Sequence, residues 1–231
     1  MNKKRVRIIS LIFVICAIIY TILVKKIDVD KIGPLNSEVG FSHFNNAVHQ
    51  LIGVNMEWYE ITKYLGVIPF LFVAFFGLIG LKQLLSTKSL SGVDKKIIKL
   101  GIFYILFCMV YVFFEKNIIN YRPTLIDNEL EASYPSSHTL LAICLCGSAM
   151  MMLKYYINNP KLLKCLNIVT FVLMSAIVIG RVLSGVHWAS DIFGGMIISI
   201  AMLSLLKCGI IDTLEQELCI KNGDKCPLYD I

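Results

Sequence analysis

Charge is what this sequence has least of. Charged residues make up 16% of its 231 positions, where soluble domains carry about a quarter. That scarcity argues against a disordered chain and against a nucleic-acid partner. Other absences narrow the field further. There is no alternating ten-residue pattern of the kind that builds membrane barrels, and no internal repeat or low-complexity segment. None of the eight cysteines falls in an expected external loop, where a disulfide would form and persist. All eight read as reduced and structural, and Cys219 and Cys226 lack a zinc-type spacing. The four histidines belong to no metal-ligand motif, so no metal is expected.

Apolar residues are what remains, at 57% of the chain and a mean hydropathy of +0.72. They are bunched into blocks. A bilayer core of about 30 Å takes roughly 17–25 apolar residues to cross as a helix. Six blocks qualify or approach that length: 8–24, 65–85, 98–114, 139–152, 162–179 and 188–206. The first is flanked by Lys3, Lys4, Arg5 and Arg7 before it and Lys25-Lys26 after it. No small-x-small cleavage site follows, so it reads as an uncleaved anchor. Backbone polar groups in lipid must be paired internally, so blocks this long are helices. The expected fold is all-α: a six-transmembrane-helix bundle, one domain over 1–231, with a short interfacial helix between helices 1 and 2. That short helix is expected within 44–66, where Trp58, Tyr59 and Tyr64 suit the headgroup level. His43 and His49 lie nearby and read as interfacial polar residues. The tail after Cys208 reads as a short helix or a partly ordered segment.

Six spans place both termini on one side, and the positive-inside rule selects the cytoplasm. Inner segments then hold 15 of the 22 basic residues. The outer side keeps Lys25, Lys26, Lys31, Lys63, Lys116, Arg122 and Arg181.

Three short segments gather polar residues at the outer span ends: Glu115–Pro123, Tyr134–Thr139 and Gly180–Asp191. Ionisable groups near a membrane core are costly and mark function by default. Arg122 and Arg181 carry donor forks suited to phosphate or carboxylate oxygens. Ser136 and Ser137 precede an apolar block, and a helix start offers free N–H groups to an anion. His187 and Asp191 are four apart, which places them on one face of an expected helix. An Asp beside a His fixes its tautomer and steadies its cation. His138 remains as an acid for a leaving group. A transporter carrying an anion past this cluster would need polar residues deep in several spans, and spans one, two, three and five have almost none.

These segments resemble the type-2 phosphatidic acid phosphatase superfamily of integral membrane lipid phosphatases. Its signature is Lys-x6-Arg-Pro, then Pro-Ser-Gly-His, then Ser-Arg-x5-His-x3-Asp. The chain supplies Arg122-Pro123, Pro135-Ser136-Ser137-His138 and Arg181-x5-His187-x3-Asp191. Lys116 is six residues before Arg122, one short of the family spacing, and Glu115 holds the strict position. Either a local loop absorbs the offset or Lys116 is not a phosphate ligand. Ser137 stands for the family Gly and Gly180 for the family Ser. The resemblance covers about residues 60–207. It implies that His187 attacks phosphorus, Asp191 orients it and His138 protonates the leaving oxygen. It further implies that Lys116, Arg122, Arg181 and the backbone near Ser136 and Ser137 hold phosphoryl oxygens, with no metal or cofactor. The implied substrate is a membrane lipid phosphate: undecaprenyl diphosphate first, with phosphatidylglycerol phosphate or phosphatidic acid as alternatives, or phosphoryl transfer to another acceptor. The site is expected on the extracytoplasmic face of a multi-pass membrane protein. The loop acids Asp127, Glu129 and Glu131 read as solvated.

Overall fold

A computed structural model describes residues 3–222, and among these the structure is almost wholly helical. The helices are α1 (Lys3–Lys26), α2 (Ser42–Ile52), α3 (Met56–Leu65), α4 (Phe70–Thr87), α5 (Lys95–Lys116), α6 (Ser137–Leu153), α7 (Pro160–Ser184) and α8 (Ala189–Asn222). Local sequence sets several of the starts. Asn55 accepts from Trp58 N to begin α3, and Asp94 accepts from Lys96 N to begin α5. Asn159 accepts from Lys161 N and Leu162 N ahead of Pro160, a sound first helical residue.

By length and composition, α1, the continuous stretch Met56–Thr87, α5, α7 and Ala189–Leu218 of α8 can cross a bilayer. The sixth apolar helix, α6, has 17 residues, or about 26 Å at 1.5 Å each. The chain is thus a multi-pass membrane protein. Large apolar side chains such as Leu11, Ile18, Leu71, Ile105, Met109 and Val172 are exposed. In water such a surface would be an aggregation hazard; against lipid it is the ordinary outer surface of a span.

Helix α6 is the centre. Ala142, Cys144, Cys146 and Ala149 are fully covered, with α7 and α8 packed on it. Small residues let these backbones approach, and a Cβ on Gly147 would meet Leu203 Cδ1 at 2.5 Å. Helix α1 lies along α8, with Ser10 Oγ donating to Ser204 O at 2.9 Å. One end of the bundle is closed by ion pairs: Lys3 and Arg7 with Asp212, and Lys96 with Asp94 and Glu217. The polar residues singled out by the motifs lie at the other end.

Two expectations change. The single interfacial helix between the first two spans is two helices, α2 and α3, because Gly53 takes φ +68° and closes α2 before Asn55 starts α3. The tail after Cys208 continues α8 without a break to Asn222. Cys226 lies outside the described residues. Six cysteines, Cys16, Cys108, Cys144, Cys146, Cys165 and Cys208, are free thiols.

Candidate active site

The site is assembled by the loop between α5 and α6 and the turn between α7 and α8. The first loop doubles back on itself, with bridges Tyr121–Ala132 and Ile126–Glu129 and a tip at Asp127-Asn128, both at positive φ. Asn and Asp tolerate that conformation better than most residues. Doubling back carries Arg122 and Ser133 to the start of α6. Ser136 N donates to Asp191 O at 3.0 Å, tying that start to the first turn of α8.

His187 is not on a helical face with Asp191. Helix α8 begins at Ala189, so His187 lies in the preceding turn and its ring does not reach the carboxylate directly. Ser133 joins them. Its Oγ donates to Asp191 Oδ2 at 2.5 Å and stands 3.0 Å from His187 Nδ1. The hydroxyl proton is committed to the carboxylate, so Ser133 can only accept from the imidazole. That places the proton on Nδ1 and leaves the Nε2 lone pair bare. His187 Nε2 is indeed buried with no partner.

Asp191 is fully covered. Oδ1 accepts from Asn120 Nδ2 at 2.9 Å and Ser190 Oγ at 3.3 Å, and Oδ2 accepts from Ser133 Oγ and from Trp188 N at 3.1 Å. Four donors fill the roughly four lone-pair sites of a carboxylate. A further layer holds those donors. Asn45 of α2 donates to Ser190 Oγ at 2.8 Å and accepts from Ser190 N at 3.0 Å, and Asn120 Oδ1 accepts from Gly40 N at 3.0 Å.

Around this relay stand cations without sufficient anions. Arg181 is fully buried, and among the described residues none of its three guanidinium nitrogens has a hydrogen-bond partner. Arg122 lies 3.0 Å through Nε from Glu131 Oε2, but that N–H is out of line for a hydrogen bond, and its Nη1 is unpartnered. Glu131 is therefore not simply solvated. Tyr59 of α3 is the ring these cations share, with Arg181 Cζ 4.9 Å and Arg122 Cζ 6.0 Å from its centroid. His138, in the first turn of α6, has an unpartnered buried Nδ1. Arg181 and Arg122 are within electrostatic reach of both His138 and His187. Burial first, then Arg122, Arg181 and His138, push the pKa of His187 well below the ordinary 6.5, so the ring is neutral. The start of α6 adds uncapped N–H groups: Ser136 makes no side-chain cap, its Oγ accepting from Thr139 Oγ1 at 3.1 Å instead. A buried unpaired guanidinium group costs several kcal/mol, so the surroundings of Arg181 suit an anion.

Arg122, Ser136, His138, Arg181, His187 and Asp191 are thus brought together, with Ser137 half-covered beside His138. Lys116 is not. It is exposed at the end of α5, in a groove with Tyr104, Cys108, Val112 and Asn117. Among the described residues no ion pair or hydrogen bond joins it to the arginines or histidines. The one-residue offset is not absorbed, because α5 stays helical through Lys116 and turns its side chain away. Gly180 has a packing reason: a Cβ there would stand 2.3 Å from Thr62 Cγ2 of α3. Ser133, Asn120, Asn45 and Tyr59 carry no motif in the sequence. His49 stacks edge-on with Trp188 at 5.3 Å and, with His187, borders an apolar cavity of about 290 Å³ between α2, α7 and α8. His43, by contrast, is exposed and pairs with Asp28. Among the described residues no three His, Cys, Asp or Glu side chains are placed to share a metal ion.

Comparison with known proteins bears on the family and the fold. The model of the PAP2 superfamily matches residues 102–210. This region belongs to the PAP2 superfamily. It contains Arg122, His138, Arg181, His187 and Asp191 and leaves α1, α2 and α3 outside. The fold likeness extends beyond that region. The chain is similar to the crystal structure of a transmembrane PAP2-type phosphatidylglycerolphosphate phosphatase from Bacillus subtilis, with a TM-score of 0.54 and 18% identity. That alignment covers 86% of this chain and 94% of the other. No curated protein sequence matches.

Proposed function

We propose that the chain is a membrane lipid phosphatase that works through a phosphohistidine on His187. The observation that carries this reading is the relay His187–Ser133–Asp191, which leaves a neutral Nε2 bare near the guanidinium groups of Arg181, without an ion pair among the described residues, and Arg122, paired only with Glu131. Nε2 attacks phosphorus and the P–N bond forms as the P–O bond to the lipid breaks. The departing oxygen keeps the bond electrons and takes a proton from His138. Positive charge growing on the imidazole is steadied through Nδ1–H, Ser133 and Asp191. Arg122, Arg181 and the N–H groups at the start of α6 hold the phosphoryl oxygens. Water then attacks phosphorus, gives its proton to His138 and releases phosphate and His187. No metal is required in any step.

The apolar cavity beside His187, lined by Phe44, Val48, Val178, Val182 and Phe193, supports a lipid chain on the substrate. The polyprenyl diphosphate undecaprenyl diphosphate is the favoured substrate. A second reading, phosphatidylglycerol phosphate, draws on the activity named for the Bacillus subtilis structure. Helix α6 is the sixth span, protected by its neighbours along its shorter length. The site faces the extracytoplasmic side, with the ion-paired end of the bundle in the cytoplasm. The test is phosphate release by detergent-purified protein from undecaprenyl diphosphate, phosphatidylglycerol phosphate and phosphatidic acid, with His187→Ala beside it. Turnover of one lipid that vanishes in the variant is expected. Undiminished turnover in the variant would remove the reading.

A further inference from the structure

Lys116 is turned away from the phosphate site. A lysine from a different element stands beside that site. Lys63 is on α3, and its Nζ lies 5.9 Å from the centroid of Tyr59, the same ring that Arg181 and Arg122 approach at 4.9 and 6.0 Å. Three cations from three elements thus surround one aromatic ring. Helix α3 also ends against the histidine expected to act as the acid: a Cβ built on Gly66 would stand 3.0 Å from His138 Cδ2. Lys63 is one turn before Gly66 on the helix that ends against His138, which places it on the leaving-group side of the site. It is half-exposed, and its partner is a loose one, Glu60 Oε1 at 3.6 Å one turn earlier. A more strongly charged ligand can draw it away.

Resting on the phosphatase reading, we infer that Lys63 is a substrate-binding residue for the leaving phosphate of a lipid diphosphate, and that it sets a preference for lipid diphosphates over lipid monophosphates. When His187 Nε2 bonds the terminal phosphorus, the bond from that phosphorus to the bridging oxygen breaks. The bridging oxygen takes the electron pair and the proton from His138, and a lipid monophosphate departs. Its remaining negative oxygens lie beside His138, within reach of the Lys63 ammonium. A lipid monophosphate leaves as a neutral alcohol and gives Lys63 nothing to hold.

The experiment compares farnesyl diphosphate with farnesyl monophosphate, the same chain with one or two phosphates, as substrates of purified wild-type, Lys63→Gln and Lys63→Arg proteins. One charge-assisted contact at a half-exposed position predicts a roughly three- to tenfold loss of kcat/KM on the diphosphate for Lys63→Gln. Loss on the monophosphate stays under about twofold, and Lys63→Arg recovers most of the diphosphate rate. Inhibition by inorganic pyrophosphate should weaken in Lys63→Gln while inhibition by orthophosphate does not, which separates a binding role from a loss of packing. Equal losses on both substrates, or no loss on the diphosphate, overturn the inference. Wild-type protein that cleaves only the monophosphate also overturns it but leaves the phosphatase reading intact. Wild-type protein that cleaves neither farnesyl phosphate nor any lipid phosphate ends both.

Discussion

Replacing Ser133 by Ala tests the part of the site that the motifs do not contain. Among the described residues, Ser133 Oγ is the only side-chain link between His187 Nδ1 at 3.0 Å and Asp191 Oδ2 at 2.5 Å, and Ser133 is 2% exposed. A methyl group there cuts the tie from Nδ1–H to Asp191 and leaves that N–H only the Ser133 backbone carbonyl, while Asp191 keeps the donors Asn120, Ser190 and Trp188. Losing a buried hydrogen bond to a group that gains charge costs about 1–3 kcal/mol. The cost grows as the ring gains positive charge, so it falls mostly on the transition state. At about 1.4 kcal/mol per tenfold in rate, kcat should drop roughly 5- to 150-fold. The ceiling is about 10⁴-fold, the penalty for a histidine trapped in the wrong tautomer. Ser133 Oγ is engaged by His187 and Asp191, so KM should hardly move.

The assay is initial-rate phosphate release from the preferred lipid, with thermal melting to confirm that Ser133→Ala is folded. Asp191→Ala supplies the second edge of a double-mutant cycle. If Asp191 acts on His187 through Ser133, the two losses overlap and the double variant is little worse than the more damaged single one. A folded Ser133→Ala protein within twofold of wild-type kcat would refute the relay. Fully additive losses would also refute it, because Asp191 would then act by another route.

Four further outcomes follow from the same geometry. His187→Ala should abolish turnover in a folded, inserted protein, whereas His138→Ala should lose about 10²–10⁴-fold on a lipid phosphate and much less on an activated aryl phosphate; equal losses on the two substrates would remove His138 as the acid. Burial, Arg122 and Arg181 hold the pKa of His187 well below 6.5, so neutral nucleophile persists as pH falls through that value and the acid limb of kcat/KM lies beneath it. Removing a positive charge with Arg122→Gln should move that limb upward, and a downward shift in a pH-rate series would contradict the assignment. Activity should survive excess chelator and be inhibited by vanadate; loss on chelation that a divalent cation restores would sink the metal-free mechanism. In a cysteine-depleted background, Asn128→Cys should react with an impermeant thiol reagent in intact cells and Ser91→Cys should not; the opposite pattern would invert the topology.

The spans were legible because lipid imposes a one-dimensional rule: long apolar blocks become helices. That rule sets length and says little about breaks, which is why 44–66 looked like one helix. Gly53 and Asn55 end one helix and start another over three residues. The motif residues were legible for a similar reason, since Arg, His and Asp near a membrane core have few other uses. Their connections were not. Spacing of four suggested that Asp191 touches His187, but that spacing has meaning only inside a helix, and α8 starts between them. Ser133 is one of three serines in Ser-Tyr-Pro-Ser-Ser, and the helix-start signal falls on the other two, Ser136 and Ser137. Asn45 and Asn120 are fully buried, yet in sequence they are ordinary polar residues of a connecting stretch.

Lys116 and Lys63 show where motif matching and physical placement part company. A family pattern fixes the order of residues along one segment, and there Lys116 was the nearest lysine to the expected position. On a regular helix one residue of offset turns a side chain by about 100°, and α5 has no irregularity near its end that would turn it back. What a phosphate needs is positive charge at a place, and any element that reaches the place can supply it. Helix α3 reaches it because Gly180 lets Thr62 and Trp58 pack closely on α7. A serine at 180, as the family pattern has it, would push α3 outward and carry Tyr59 and Lys63 with it. On the proposed role of Lys63, the departures at 116 and at 180 belong together: the glycine admits the helix that brings the lysine. Gly180→Ser should accordingly weaken diphosphate turnover in the same sense as Lys63→Gln, although Gly180 lies on a different helix and contributes no charge. A Gly180→Ser protein that stays folded and keeps the wild-type ratio of diphosphate to monophosphate turnover would break that coupling.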